Sequence, residues 1–304
     1  MSYVFYPGCS LDSTARDFRL STEAVARALA LDLPELPGWT CCGSTAAHQS
    51  DPLLSLALPA KNLLAASGRT VAVCCAACYS RLKTANHRIA AAPEARAQVA
   101  GVLGSDYDGS TPVKHMLEII RDDVGLGEIA RRARAPLTGL RVAVYYGCLL
   151  VRPPDVMRFD DPENPTLLDN VLAAAGAEPV EWSHKTECCG ASCSITKVEI
   201  VERLAREILT MARDSGADCI ATACPLCQLN LDMRQRDIEA QSGDRFGLPV
   251  FYFTQLLGLA LGLKPRELGL GSLMVDPMPL LARKGIVAGR GLAAAASGSV
   301  GGEA

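Results

Sequence analysis

Short runs in which nearly every position is apolar alternate along this chain with longer amphipathic stretches, and the alternation is played twice. Residues 2–6 (Ser-Tyr-Val-Phe-Tyr) are aromatic and β-branched and are stopped by Pro7-Gly8, which predicts a strand. Between 14 and 31, Phe18, Thr22, Val25 and Leu29 fall at i, i+4, i+7 and i+11, the stripe of a helix. A loop over 34–40 follows, and Asp51-Pro52 reads as a cap with proline at the first helical position, opening a helix to about 66. Residues 69–73 (Arg-Thr-Val-Ala-Val) predict a second strand and 79–89 a helix. A polar connection then runs through Gly109, and Thr111-Pro112 opens a helix over 114–122.

The second half repeats the pattern. Residues 141–146 (Arg-Val-Ala-Val-Tyr-Tyr) predict a strand stopped by Gly147. A loop rich in proline and aspartate at 152–165 has no counterpart in the first half, and a helix is expected at 166–175. Residues 195–213 are the most periodic helix, with Val198, Val201, Ala205, Ile208 and Met211 on one stripe. A strand at 218–222 and a helix at 228–238 follow, and 248–261 parallels the stretch after Thr111. Strand alternating with helix implies an α/β fold of two pseudo-repeated domains, each a mostly parallel sheet flanked by helices. The expected division is 1–138, 139–270 and a C-terminal extension, 271–304. The chain turns loop-like after Gly262, and the extension ends in a disordered Gly/Ala/Ser tail from 288.

Cysteine spacing gives the repeat its chemistry. The first half carries Cys9, then Cys41-Cys42-Gly43, then Cys75-x-x-Cys78; the second carries Cys148, then Cys188-Cys189-Gly190, then Cys224-x-x-Cys227. The offset between halves grows from 139 at Cys9/Cys148 to 147 at Cys41/Cys188 and 149 at Cys78/Cys227, as insertions into a duplicated unit would produce. Periods this long exclude a solenoid. In parallel sheets ligands gather beyond the carboxyl ends of the strands, where Cys9, Cys75, Cys148 and Cys224 all fall.

Composition narrows the function class. With 304 residues, 49% hydrophobic and 21% charged, the chain has material for two soluble domains of ordinary size. A net charge of −3 gives no footprint for nucleic acid. The longest apolar run, 251–263, is broken by Thr254 and Gln255 and falls short of the ~20 residues of a membrane span. No basic region precedes the apolar N-terminus, so a cytoplasmic protein is expected. Thirteen cysteines there argue for metal or redox work rather than structural disulfides.

Thiolates select zinc, copper(I) or iron–sulfur clusters. Five per half overfill a zinc tetrahedron and exceed the four corners of a cubane, which suggests a polynuclear iron–sulfur centre of unusual shape in each half. Gly43 and Gly190 would let the backbone take positive φ close to it. This ten-cysteine pattern resembles the cysteine-rich CCG domain, and a chain of this length with two copies is similar to the B-type component of heterodisulfide reductase. The resemblance covers roughly 1–264. It implies two non-cubane [4Fe-4S] clusters, each held by the five cysteines of one half. It further implies a disulfide placed between them, cleaved homolytically with one electron from each. No flavin or nicotinamide motif exists, so the resemblance implies electrons from a small cubane-cluster subunit (C-like) and a flavin-bearing A-like subunit. CCG domains also occur in relatives that are relay subunits of dehydrogenases or sulfur-oxidising complexes, the alternative reading.

Other residues have more modest roles. Cys74 ends a strand and Cys219 sits inside one, both small buried hydrophobes by position, and pattern position favours Cys75 over Cys74 as ligand. Cys193, four residues after Cys189, is a spare thiol or a packing residue. His48 and His184 lie near the Cys-Cys-Gly motifs as candidate proton donors, against the commoner surface or capping role. Lys185 and Arg152 are candidate anion attractors or solvated loop charges. Tyr6 and Tyr146 are taken as matching positions that pack the sheet ends.

Overall fold

The computed structural model describes residues 2–288, apart from the side chains of Thr45 and His48. Two parallel sheets organise it. Strands β1 (Tyr3–Tyr6), β2 (Thr70–Val73) and β3 (Val113–His115) form the first, in order β1-β2-β3. Strands β4 (Arg141–Tyr145), β5 (Glu178–Pro179), β6 (Cys219–Thr222) and β7 (Val250–Tyr252) form the second, in order β5-β4-β6-β7. All pairings are parallel. The inner strands β2, β4 and β6 are buried apart from the first residue of β2 and of β4, as expected where helices cover both faces of a parallel sheet.

The duplication is visible in the register. Tyr3 pairs with Thr70 and Tyr6 with Val73; Val142 pairs with Cys219 and Tyr145 with Thr222. The partners stand at the same offsets as the cysteines, so Tyr145, not Tyr146, is the counterpart of Tyr6. Their hydroxyls agree: Tyr6 donates to Thr40 O at 2.8 Å and Tyr145 to Glu187 O at 2.6 Å, each just before a Cys-Cys-Gly.

Several elements differ from the sequence expectation. Residues 113–115 form a strand rather than a helix start, because Val113 completes the sheet beside Val71; the expected helix begins at Met116 and continues from Ile120 to Val124 as a π-helical turn. Helix Gly8–Asp12 precedes helix Arg16–Ala28, and helix Ser44–Ser50 follows the first Cys-Cys-Gly directly. The polar connection before Gly109 contains helix Pro93–Leu103. The periodic helix runs Val198–Asp214 and buries Val201, Ala205 and Ile208 of the expected stripe, with Leu209 and Ala212 replacing its ends. The stretch after Gly262 is not loop alone. Helix Met278–Arg283 and buried Leu268, Leu270, Leu280 and Leu281 pack it onto the body. The tail lies, from 289 on, outside the described residues.

The two sheets share one continuous core. Helix Phe253–Ala260, which follows β7, lies across helix Arg16–Ala28 of the first half. Phe18 stacks on Tyr252 with centroids 4.0 Å apart, and the Ser21 and Thr254 hydroxyls meet at 2.7 Å. The loop peculiar to the second half makes the reciprocal contact. Tyr79 of helix Ala76–Ala91 donates to Met157 O at 3.2 Å and meets the Phe159 ring edge-on. These cross-contacts turn the carboxyl ends of the two sheets toward each other.

Candidate metal-binding cysteine centre

All thirteen cysteines are free thiols. In the first half, β1 delivers Cys9 and β2 delivers Cys75, which caps the N-terminus of helix Ala76–Ala91. Cys224 does the same for helix Pro225–Met233 in the second half. A helix N-terminus favours a thiolate, but the neighbouring thiols decide which one: Cys227 and Cys75 hold Cys224 well below the ordinary thiol range, and Cys224 drives Cys75 well above it. Cys78 and Cys227 stand in the first turn of these helices, each against a glycine held at positive φ. A Cβ on Gly8 would lie 3.0 Å from Cys78 Sγ, and one on Gly147 would lie 3.2 Å from Cys227 Sγ.

The vicinal pairs split their directions. Cys41 Sγ lies 3.7 Å from Cys9 Sγ at the exposed rim, while Cys42 Sγ turns inward to Cys78 Sγ at 3.4 Å. In the second half Cys188 faces Cys148 toward the rim, and Cys189 Sγ reaches Cys227 Sγ at 3.5 Å in the interior. Gly43 and Gly190 take φ of +80° and +78°, which aims each N–H back at the first thiol of its pair, 3.4 Å to Cys41 and 3.4 Å to Cys188. Cys75 lies close enough to Cys78 of its own half and to Cys224 of the other for their charges to be coupled, so the two sets approach each other there.

This crowding separates the acidities. Hydrogen bonds from Cys42 and then Cys9 pull Cys41 far below the ordinary thiol range, and the Gly43 N–H assists. The Cys148 hydrogen bond pulls Cys188 down to about 6. Cys9 and Cys148 are driven up by the same two bonds. Burial, and then the surrounding thiols, keep Tyr6 and Tyr145 protonated. Among the described residues no three His, Cys, Asp or Glu side chains are placed to hold a single ion; the thiols meet as close pairs. Five soft donors per half, with neighbours facing different partners, fit a polynuclear group better than one ion.

The remaining cysteines stand apart. Cys74 is buried and turns to Thr22 Oγ1 at 3.4 Å, and burial pushes it up to about 12. Cys219 lies inside β6 and is fully buried; Cys193 ends a short 3-10 turn, half-buried. The helix position of His48 is described but its side chain is not. His184 bonds Ser183 and lines a surface groove with Arg203, Arg206 and Asp244, not the cysteine cavity. Lys185 is not a solvated loop charge: it is buried and ion-paired with Asp169 at 3.0 Å. Arg152 is engaged by Thr186 O and Glu163.

Residues outside the motif support the site. Asn62 brackets Thr40, accepting from its N–H at 2.8 Å and donating to its C=O at 3.0 Å. Asn230 donates to Cys189 O at 3.0 Å and approaches its Sγ at 3.7 Å. His115, fully buried, faces Cys74 O through Nε2 at 2.7 Å while Nδ1 accepts from Leu117 N–H, which makes Nε2 the donor. Asn230 follows Cys227 by three residues, one helical turn, and that spacing was a usable signal. Asn62 and His115 had none.

Comparison with known proteins agrees with the geometry. Residues 3–83 and 142–232 each match the CCG family, described as a cysteine-rich domain. The 8-methylmenaquinol:fumarate reductase membrane anchor subunit of Wolinella succinogenes is 33% identical over 283 residues, 91% of this chain and 98% of its own. The B-type component of the ferredoxin/F(420)H(2)-dependent CoB-CoM heterodisulfide reductase of Methanosarcina acetivorans is 31% identical over 91% of this chain and 95% of its own. A crystal structure of a hypothetical protein from Helicobacter pylori superposes with a TM-score of 0.73 over 90% of this chain and 52% of that one; at 13% identity it speaks for the fold alone. The chain belongs to the CCG cysteine-rich domain family, carries two copies of that domain, and is related over nine-tenths of its length to the B-type component of heterodisulfide reductases.

Proposed function

We propose that this chain is an iron–sulfur electron-transfer subunit whose two centres act together on a disulfide, reducing or forming it. The observation that carries the reading is the meeting of two five-thiol sets at Cys75 and Cys224, on the facing ends of two parallel sheets. Cys9, Cys41, Cys42, Cys75 and Cys78 would hold one centre; Cys148, Cys188, Cys189, Cys224 and Cys227 would hold the other. When bound, two non-cubane [4Fe-4S] clusters supply one electron each and an iron for each substrate sulfur.

The protein's own residues do the positioning. Tyr6 and Tyr145 tie each Cys-Cys-Gly arm to a strand end, so the rim and interior thiols hold their separation. The Gly43 and Gly190 N–H groups offset negative charge on the rim thiols. Cys9, Cys41 and Cys188 are exposed, which leaves the rim open to a small thiol or disulfide. Electrons come from companion subunits. A small cubane-cluster subunit and a flavin-bearing subunit fit this need, in a complex on the cytoplasmic side.

A second reading is favoured by the Wolinella relative, named as a fumarate reductase membrane anchor subunit. In that reading the centres relay electrons between a dehydrogenase and a quinone pool without a disulfide. Among the described residues no helix is long and apolar enough to cross a membrane, so any anchoring by them would be peripheral. Anaerobically prepared protein should contain iron and acid-labile sulfide, and an oxidised sample given a thiol should develop a new paramagnetic signal. Zinc without iron would sink both readings; iron with no spectral response to any thiol would favour the relay.

A further inference from the structure

The pseudo-symmetry of the two cysteine sets is broken one helical turn after each Cys-x-x-Cys. Asn230 follows Cys227 by three residues and turns back onto its own set, donating to Cys189 O and approaching Cys189 Sγ. The corresponding residue after Cys78 is Arg81, and it does not turn back. It lines a cavity of ≈130 Å³ together with Cys148, Cys188, Cys189, Cys224 and Cys227, all five motif thiols of the opposite half. Its Nε is fully buried and has no hydrogen-bond acceptor, and no carboxylate among the described residues pairs with it. A guanidinium with a buried, unpaired N–H and no counter-charge is costly unless something anionic belongs beside it. The anionic groups at hand are the thiolates of the second set.

We propose that Arg81 and Asn230 make the two centres electrostatically unequal, so that the second-half set holds the more readily reduced one. The inference rests on the reading of two iron–sulfur centres given above. Reduction adds one negative charge to a centre. A nearby cation and N–H donors to its sulfurs stabilise that added charge, and both are recognised levers on the potential of such sites. The second set receives the Arg81 charge from across the interface and the Asn230 amide from its own helix. The first set lacks the amide, because the residue in Asn230's position is the arginine, and the motif cysteines that line the cavity with that arginine all belong to the second set. An electron entering the pair would therefore rest in the second half.

The test is a dye-mediated potentiometric titration of the anaerobic protein with dithionite, followed by electron paramagnetic resonance. Two centres should titrate at separate potentials. In a Cys42→Ala background, which disables the first set, the surviving centre should be the higher one. There Arg81→Met should lower it by about tenfold in electron affinity, ~59 mV for one electron, and Arg81→Lys should restore most of the loss. Asn230→Asp should shift the same centre in the same direction, which keeps the test available if R81M does not fold. In a Cys189→Ala background the surviving centre should be the lower one and indifferent to Arg81→Met. Centres of equal potential, a higher potential in the first set, or equal responses of both sets to R81M would overturn the inference alone. Iron-free protein would overturn the functional reading together with it.

Discussion

Asn62 offers the sharpest way to disturb one cysteine set while leaving the other intact. It is 1% exposed, and its amide accepts from Thr40 N–H at 2.8 Å and donates to Thr40 O and Leu58 O, each at 3.0 Å. Thr40 is the residue before Cys41, so this bracket sets the approach of the Cys41-Cys42-Gly43 arm. Asn62→Ala removes three hydrogen bonds, each worth ~0.5–1.5 kcal/mol net, and leaves the half-buried Thr40 N–H unpaired. Thr40 O keeps its bond from Tyr6, which limits the damage. A loss of about 2–4 kcal/mol is expected, against a typical domain stability of ~5–15 kcal/mol. Anaerobic urea unfolding measures the first quantity. Iron per chain measures the second, and it should fall toward half as the first set loses its arm. Asn62→Asp keeps the acceptor for Thr40 N–H but sets a carboxylate oxygen against Thr40 O and Leu58 O, and should be at least as destabilising as alanine. An N62A protein with parental stability and full iron would refute the claim that this amide positions the motif.

Three further outcomes follow from the same geometry. Cys42→Ala should remove one centre and leave the other, halving iron; unchanged iron would contradict the ligand assignment. Gly147→Ala would place a Cβ 3.2 Å from Cys227 Sγ at a φ of +66°, so iron in the second set should drop along with ~1–2 kcal/mol of stability. Gly38→Ala, at a similar φ of +64° with nothing within 4 Å, carries the strain without the clash and should keep its iron; equal iron loss in both would remove the role given to that contact. Burial raises Asp232 to about 6 even though it accepts from Met274 N–H, Val275 N–H and Gln228. The folded protein then binds the extra proton between about 4 and 6, so this contribution is full below the unfolded value and lost as pH rises through about 6. It amounts to roughly 3 kcal/mol, so the stability difference between parent and Asp232→Asn should change between pH 4 and 7; parallel curves would contradict it.

Much of the site was legible in the residues alone, because ligand chemistry constrains residue type and spacing together. Ten cysteines at near-constant offsets identified the duplication, and strands buried on both faces announced themselves as short apolar runs such as Val71-Ala72-Val73. What stayed hidden depended on partners remote in sequence. Val113-Lys114-His115 is too short and mixed to signal a strand by itself and becomes one only beside Val71. Lys185 looked like a loop charge because its partner Asp169 sits on a separate helix. Tyr145 rather than Tyr146 is the counterpart of Tyr6, as the offset shared with Cys9 and Cys148 implies and the strand register shows. Tyr146 instead bonds Asp169, within a buried network that includes Lys185.

Duplication alone would yield two identical sites with no reason to meet. What brings them together is partly a segment the two halves do not share and partly a repeated helix put to a new use. The 152–165 loop, present only in the second half, places Met157 and Phe159 against Tyr79, one residue after Cys78. Helix Phe253–Ala260 crosses onto helix Arg16–Ala28, and Gln255 reaches Asp17 at 3.3 Å. Each half therefore uses an element near its own cysteines as the surface on which the other half packs. The approach of Cys75 to Cys224 is the central point of that exchange. Both residues cap a helix that follows the strand joining its sheet together, β2 in one half and β6 in the other. A strand at that position cannot shift without disturbing two neighbours, so Cys75 and Cys224 are held from both sides. The rim thiols sit instead on arms held from outside the sheet, by Tyr6 and Asn62 through Thr40 in one half and by Tyr145 through Glu187 O in the other.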